Sequence, residues 1–197
     1  MMSELPEAIR AEVISELYRQ AADLDWELLS TSQKKIQYRK WIEDPHVGGR
    51  LRGFLDDHRI GTWIKDTPMK EYTRAQEGFG SMAAYALRRF PGPEHLIQTA
   101  LGEAWKIKPG SLDEKPMHCI AISGPTQRYV CWGRPNTFRD LTWAALNRAV
   151  AMPTRPTIIV TTQDGLVLSV AEKTFQRSIA EHCGVDIFHI HRHIQIV

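Results

Sequence analysis

The run TIIVTT, residues 157–162, constrains the fold more than any other stretch of the chain. All six side chains are β-branched and none is charged, which is the pattern of a strand buried on both faces. Such a strand needs neighbours on both edges and helices above and below. The flanking sequence offers them. MHCIAIS and QRYVCWG are two strand-like runs joined through Gly124–Pro125–Thr126–Gln127, a hairpin signal. TFRDLTWAALNRAVAM has a helical stripe of Leu141, Ala144, Ala145 and Ala149, and AEKTFQRSIAEHCG is a second helix ending at Gly184. LVLSV either extends the central strand or adds a short one, and VDIFHIHRHIQIV closes the chain as a strand. Hairpin, helix, strand, helix, strand implies a mixed sheet with packed helices.

Before residue 107 the period is helical. Ile9, Val13, Leu17 and Ala21 recur every four residues, widened by Ile14 and Tyr18, with Ser3 as cap and Pro6 in the first turn. A second helix follows Ser30–Thr31–Ser32 through KKIQYRKWI to Pro45, and VGGRLRGFL offers Val47, Leu51, Phe54 and Leu55 as a third. RIGTWI reads as a short extended piece. Thr67 and Pro68 then open TPMKEYTRAQ, and MAAYALRRF reads as a further helix stopped by Pro91–Gly92–Pro93. EHLIQTALGEAW restarts helically and runs to the Pro109–Gly110 turn. The expected class is α+β: a helical region over 1–106 and a sheet region over 107–197, either separate or joined in one compact domain.

Composition limits the function classes. With 43% hydrophobic and 24% charged residues the chain is an ordinary globular protein. No apolar run approaches the ~20 residues of a membrane span, and MMSELPEAIRAEVISEL lacks a secretion signal's basic leader. A cytoplasmic location without membrane contact is expected. Cys119, Cys131 and Cys183 form no CxxC pair. Across the hairpin, Cys119 and Cys131 should fall one step out of register, on opposite faces, as buried thiols.

The net charge of +2 is small but unevenly spread. Residues 1–33 carry two arginines against seven acids, so the first helix could dock a protein partner. Residues 34–74 carry ten Lys and Arg against six acids. Candidate nucleic-acid contacts there are Lys34, Lys35, Arg39, Lys40, Arg50, Arg52, Trp63, Lys65, Lys70 and Arg74, because cations interleaved with aromatic rings suit a phosphate backbone and its bases. An amphipathic helix edge carries the same residue types. GGRLRG (Gly48–Gly53) matches neither a Walker loop nor a Rossmann fingerprint and reads as a helix start. No GxSxG is present, and the pairs Asp56–Asp57 and Asp113–Glu114 fall in expected turns.

FHIHRHIQIV places His189, His191, His193 and Gln195 on one face of the last strand and Phe188, Ile190, Ile194 and Ile196 on the other, with Arg192 interrupting. Neighbouring histidines stand ~7 Å apart, within reach of one zinc ion, and the outer pair ~13 Å apart, beyond it. A third ligand would have to come from Asp186, Glu181 or Cys183. A strand facing solvent or a partner is the preferred reading, so no metal and no cofactor is assigned.

The order from residue 116 onward resembles the second half of the restriction-endonuclease-like fold, the PD-(D/E)xK nucleases. The matching parts are RYVCWGRPNTFRDL, IIVTTQDG, AEKTFQRSIAEH and GVDIFHI. The resemblance implies a hairpin whose first strand supplies an acid and whose second supplies Glu-x-Lys, together holding Mg²⁺ and activating water. Here Cys131 stands for the Glu, Gly133 for the Lys, and CIAIS has no acid. A thiol and a glycine cannot build a magnesium site. Arg134 and Arg139 remain to touch a phosphate. The expectation is a non-catalytic, nucleic-acid-associated subunit of a DNA-processing, restriction or phage-defence complex. The competitors are a metal-dependent nuclease or phosphodiesterase with an atypical site drawn from His189, His191, Asp186 and Asp164, and a protein-binding adaptor or immunity-type module.

Overall fold

The structure is a computed structural model that describes residues 5–151 and 154–196. Ser3, expected as a cap, and Met152 at the end of the expected TFRDLTWAALNRAVAM helix lie outside the described residues. The chain is α+β and divides into two compact units, Met1–Phe90 with Ile194–Val197, and Pro91–His193.

The first unit is built on five helices: α1 (Glu7–Asp23), α2 (Thr31–Glu43), α3 (Gly48–Leu51), α4 (Asp57–Asp66) and α5 (Pro68–Gln76). The expected stripe of α1 is buried as Val13, Ile14, Leu17, Tyr18 and Ala21, with Pro6 just before the first turn. Ser30 and Gln33 start α2 with a capping box, each side chain bonding the other's backbone N–H. Trp41 is fully buried, and its indole Nε1 donates to Gln20 Oε1 at 2.7 Å. Gln20 Nε2 in turn donates to Glu16 and Asp44, so a buried indole is satisfied through one amide. α3 is shorter than VGGRLRGFL suggests. Gly48 passes so close to α2 that a Cβ there would lie 1.9 Å from the Ile42 carbonyl oxygen.

Two assignments of secondary structure fail in this unit. RIGTWI is not extended but forms most of α4. Asp56 caps it by accepting from the Arg59 N–H, and Ile60 and Ile64, four apart, bury completely. Tertiary burial of one face outweighs the strand preference of β-branched residues. MAAYALRRF is not a helix either: a 3₁₀ turn at Ala83–Tyr85 leads into β1 (Arg88–Arg89). Met82, Ala86 and Phe90 do bury at helical spacing. The backbone, however, pairs β1 antiparallel with β8 (Gln195–Ile196). Pro68 occupies the first turn of α5, but the Thr67 side chain makes no capping hydrogen bond.

The second unit holds a six-stranded sheet of order β2 (Lys106–Ile107), β4 (Met117–Ser123), β5 (Thr126–Gly133), β6 (Thr157–Thr162) and β7 (Asp186–His191), with β3 (Asp113–Glu114) also paired to β4. The β4–β5 hairpin is antiparallel, whereas β5, β6 and β7 run parallel. Every residue of β6 is buried, as TIIVTT requires. Alternation sorts the sheet into two faces. Tyr129, Cys131, Ile158 and Val160 pack with Leu141 and Ala145 of α7 (Phe138–Ala151) and Ala180 of α8 (Val170–His182). Cys119, Val130, Trp132 and Ile159 pack with Leu96 and Ile97 of α6 (Pro93–Leu101). His118 pairs with Cys131 and Cys119 with Val130, so the two thiols are staggered by one and face opposite ways, as expected.

Three further expectations are corrected in this unit. α6 stops at Gly102, whose φ of +105° favours glycine, and β2 begins before Pro109 is reached. LVLSV adds no strand: Gln163 and Leu166 close a turn, Leu168 packs inward, and Ser169 with Glu172 forms the capping box of α8. The closing strand breaks after His191, and its last residues pair with β1 instead.

Candidate nucleic-acid interface

α2 carries the densest positive charge. From Thr31 to Ile42 it contains no acid, while Lys35, Ile36, Arg39 and Lys40 are exposed. Residues four apart share a helix face, so Lys35–Arg39 and Ile36–Lys40 form two adjacent rows. Among the described residues no carboxylate pairs with Lys35, Arg39 or Lys40. The helix is held from beneath by an aromatic cluster. Trp26 stands edge-on to Tyr38 at 5.3 Å and tilted to Trp41 at 5.0 Å between ring centroids. Lys34 lies over the same Trp26 ring at 5.1 Å, a cation–π contact that leaves its charge beside the row.

The remaining candidates of the helical unit lie elsewhere. Arg50 pairs with Glu12, Arg52 with Asp57 at 3.0 Å, Arg74 with Glu71 at 2.6 Å, and Lys65 lies 3.9 Å from Asp66. Lys70 is exposed on α5. Trp63 packs partly into the core and borders an open groove with Arg10 and Pro6. Tyr72 is buried edge-on to Tyr18. The interleaved stretch is thus folded into two amphipathic helices, and Tyr72 offers no ring to a base. The acids of α1 are largely engaged: Arg19 bridges Glu16 and Asp23, and Glu16 is held down at a pKa of about 2 chiefly by its Arg19 hydrogen bond.

In the sheet unit, the positions that the nuclease resemblance marks are closed. The Cys131 Sγ is wholly buried, 3.5 Å from the Leu141 carbonyl oxygen, and burial pushes its pKa up to about 12. A Cβ on Gly133 would lie 2.5 Å from Thr137 Oγ1, which itself donates to the Arg134 carbonyl at 2.8 Å. A side chain at this position would require the Thr137 hydroxyl to move. β4 and β5 contain no acid. Arg134 is half-buried just after β5, and Arg139 is exposed on α7 beside Asp140 at 3.3 Å.

The histidines separate. His189 Nε2 meets Gln176 Oε1 of α8 at 2.8 Å, and burial, with Arg177 and Lys173 adding, lowers its pKa. Asp186, expected as a third ligand, is held at the other end of β7 by Arg128 at 2.7 Å and Arg155 at 3.1 Å. Glu181 and Cys183 join no histidine cluster among the described residues. Instead His191 and His193 stack edge-on at 4.8 Å between centroids, and His191 Nε2 lies 3.0 Å from Asp164 Oδ1. Sequence reasoning named Asp164 but not this grouping. On α7 it named the core stripe and Arg139 but not Trp143. Trp143, off the Leu141–Ala145 stripe, is 67% exposed beside a groove lined by Lys115, His118 and Arg148.

Among the described residues no helix is long and apolar enough to cross a membrane. Comparison with protein-family models, with curated proteins and with solved structures gave no match to the chain.

Proposed function

We propose that the protein is a non-catalytic, nucleic-acid-associated accessory subunit of a DNA-processing, restriction or defence assembly, and that α2 grips the phosphate backbone. The observation that carries this reading is the stretch of α2 from Thr31 to Ile42, which holds no acid and where Lys35, Arg39 and Lys40 stand exposed with Lys34 alongside, ahead of the single acid Glu43 at the helix end. A row of cations spaced by one helical turn can follow successive phosphates, and such contacts give affinity without sequence preference. Glycine at position 133 and the acid-free hairpin favour binding over hydrolysis. The outer face of α1 is the surface assigned to a protein partner.

The test is binding of labelled duplex and single-stranded DNA across a salt series. Each phosphate neutralised contributes a slope of about −0.9 in log K against log[salt] on duplex, so four cations predict roughly −3 to −4. The triple variant Lys35→Ala, Arg39→Ala, Lys40→Ala should flatten that slope by about 3 and weaken binding on all sequences alike. Millimolar affinity without a salt slope would sink the reading. Cleavage of the DNA with added Mg²⁺ or Mn²⁺, lost on replacing a single acid, would replace it with the nuclease alternative.

A further inference from the structure

The carboxyl ends of β6 and β7 bring three metal-ligating side chains together. β6 ends at Thr162, and the chain turns back at once: Leu166 N–H donates to the Gln163 carbonyl at 2.9 Å, with Gly165 at φ +76°. This turn fixes Asp164 at its tip. The parallel register sets Thr162 beside His191. β7 then stops, and the Arg192 N–H donates to the Thr162 carbonyl at 2.8 Å. Arg192 turns its side chain inward, 7% exposed, reaching the Pro91 carbonyl at 3.3 Å. Its neighbours His191 and His193 are both exposed. One ligand atom from each of Asp164, His191 and His193 lies within 4.8 Å of the other two.

The geometry points to a site for one divalent transition-metal ion of the zinc class, held by Asp164, His191 and His193. Two imidazoles and a carboxylate suit such an ion, at bond lengths of about 2.0–2.2 Å. Ligand atoms on one ion therefore stand at most ~4.2 Å apart. The Asp164–His191 pair already meets this at 3.0 Å, and the exposed His193 ring, with a ligand atom within 4.8 Å of both, would have to close the remaining gap. A second observation supports the assignment. The other nitrogen of His191, Nδ1, lies 3.3 Å from Thr162 Oγ1, which in turn can donate to the Ile190 carbonyl at 3.5 Å. Nε2–H donates to the acceptor-only Asp164 Oδ1; a metal ion would take the place of that proton, and the Thr162 contact at Nδ1 holds the ring with Nε2 turned toward Asp164. Three protein ligands leave at least one coordination position open to solvent, unlike a closed structural zinc site. The proposal does not depend on α2 or on nucleic-acid binding.

Chelator-treated protein without a histidine tag should be titrated with Co²⁺, following the visible ligand-field bands, and then with Zn²⁺ in competition. The expected result is one ion per chain, displaced by zinc, with a zinc-dependent rise in Tm. Asp164→Asn, His191→Ala and His193→Ala should each weaken binding roughly tenfold or more. Thr162→Val, as the positioning residue, should weaken it by up to about tenfold while leaving the Co²⁺ spectrum's shape unchanged. His182→Ala and His189→Gln should leave affinity unaltered. All three ligand variants change exposed side chains, so circular dichroism should confirm an unchanged fold. Absence of binding below millimolar Zn²⁺ would reduce the cluster to a surface hydrogen bond and overturn the proposal. So would binding that survives replacing Asp164, His191 and His193 together, or that is lost with His182→Ala or His189→Gln.

Discussion

Trp132→Ala is expected to destabilise the protein by about 3–5 kcal/mol, the range for emptying a large aromatic from a packed core. Trp132 is 2% exposed near the C-terminal end of β5, packed with Leu96, Ile97 and Ile159 between α6 and the sheet. Backbone pairing on both sides, β4 antiparallel and β6 parallel, leaves the strand little freedom to collapse into the space. Against a total stability of about 5–15 kcal/mol this is a large fraction, equivalent to a fall in Tm of very roughly 10 °C. Urea denaturation is the measurement: the midpoint should drop with the slope m unchanged. Trp143→Ala, at 67% exposure, should stay within about 0.5 kcal/mol. A loss below about 1 kcal/mol for Trp132→Ala would mean that the α6 face of the sheet is not closed.

Gly48→Ala has the second largest expected effect, and two principles disagree about its sign. Helix propensity favours alanine over glycine by about 1 kcal/mol. Sterics oppose it, because the added Cβ would sit 1.9 Å from the Ile42 oxygen and 2.6 Å from its carbonyl carbon. Those are backbone atoms of α2 and cannot rotate away. Overpacking of this severity reaches or exceeds the upper end of about 1–3 kcal/mol, so the steric term wins. Gly49 and Gly53 are the internal controls. A Cβ on Gly49 meets its nearest atom at 3.5 Å, and on Gly53 it meets nothing within 4 Å. Alanine there should be neutral or stabilising by up to about 1 kcal/mol. Chemical denaturation of the three variants decides the matter: equal effects at all three positions would refute the close approach.

What could be read from the sequence was what local pattern determines. TIIVTT and the hairpin declared themselves because β-branched runs and a Gly-Pro turn are patterns of adjacent residues. The one-residue stagger of Cys119 and Cys131 followed from hairpin counting alone. α4 was misread because Ile60, Thr62 and Ile64 favour strands one by one. The Asp56 cap and a buried partner surface for the Ile60–Ile64 face reversed that preference. The α2 charge was legible because the absence of acids between Thr31 and Ile42 is a property of the string. Its separation from Arg50, Arg52 and Arg74 was not, since the acids that pair with Arg50 and Arg52 lie on other helices. The grouping of Asp164 with His191 and His193 was hidden for a different reason. It depends on a parallel register between segments 27 residues apart and on the end of β7, neither of which alternation reveals.

The staggered cysteines have a consequence of their own. Only the thiolate reacts with alkylating reagents, and burial holds both Cys119 and Cys131 near a pKa of about 12 in the closed sheet. Cys119 lies under α6 and Cys131 under α7. A reagent can therefore find each sulfur only when the layer above it lifts, so the rates at which the two become labelled time the opening of either side separately. The sheet carries two independent clocks, one for each of its coverings, without any engineered probe.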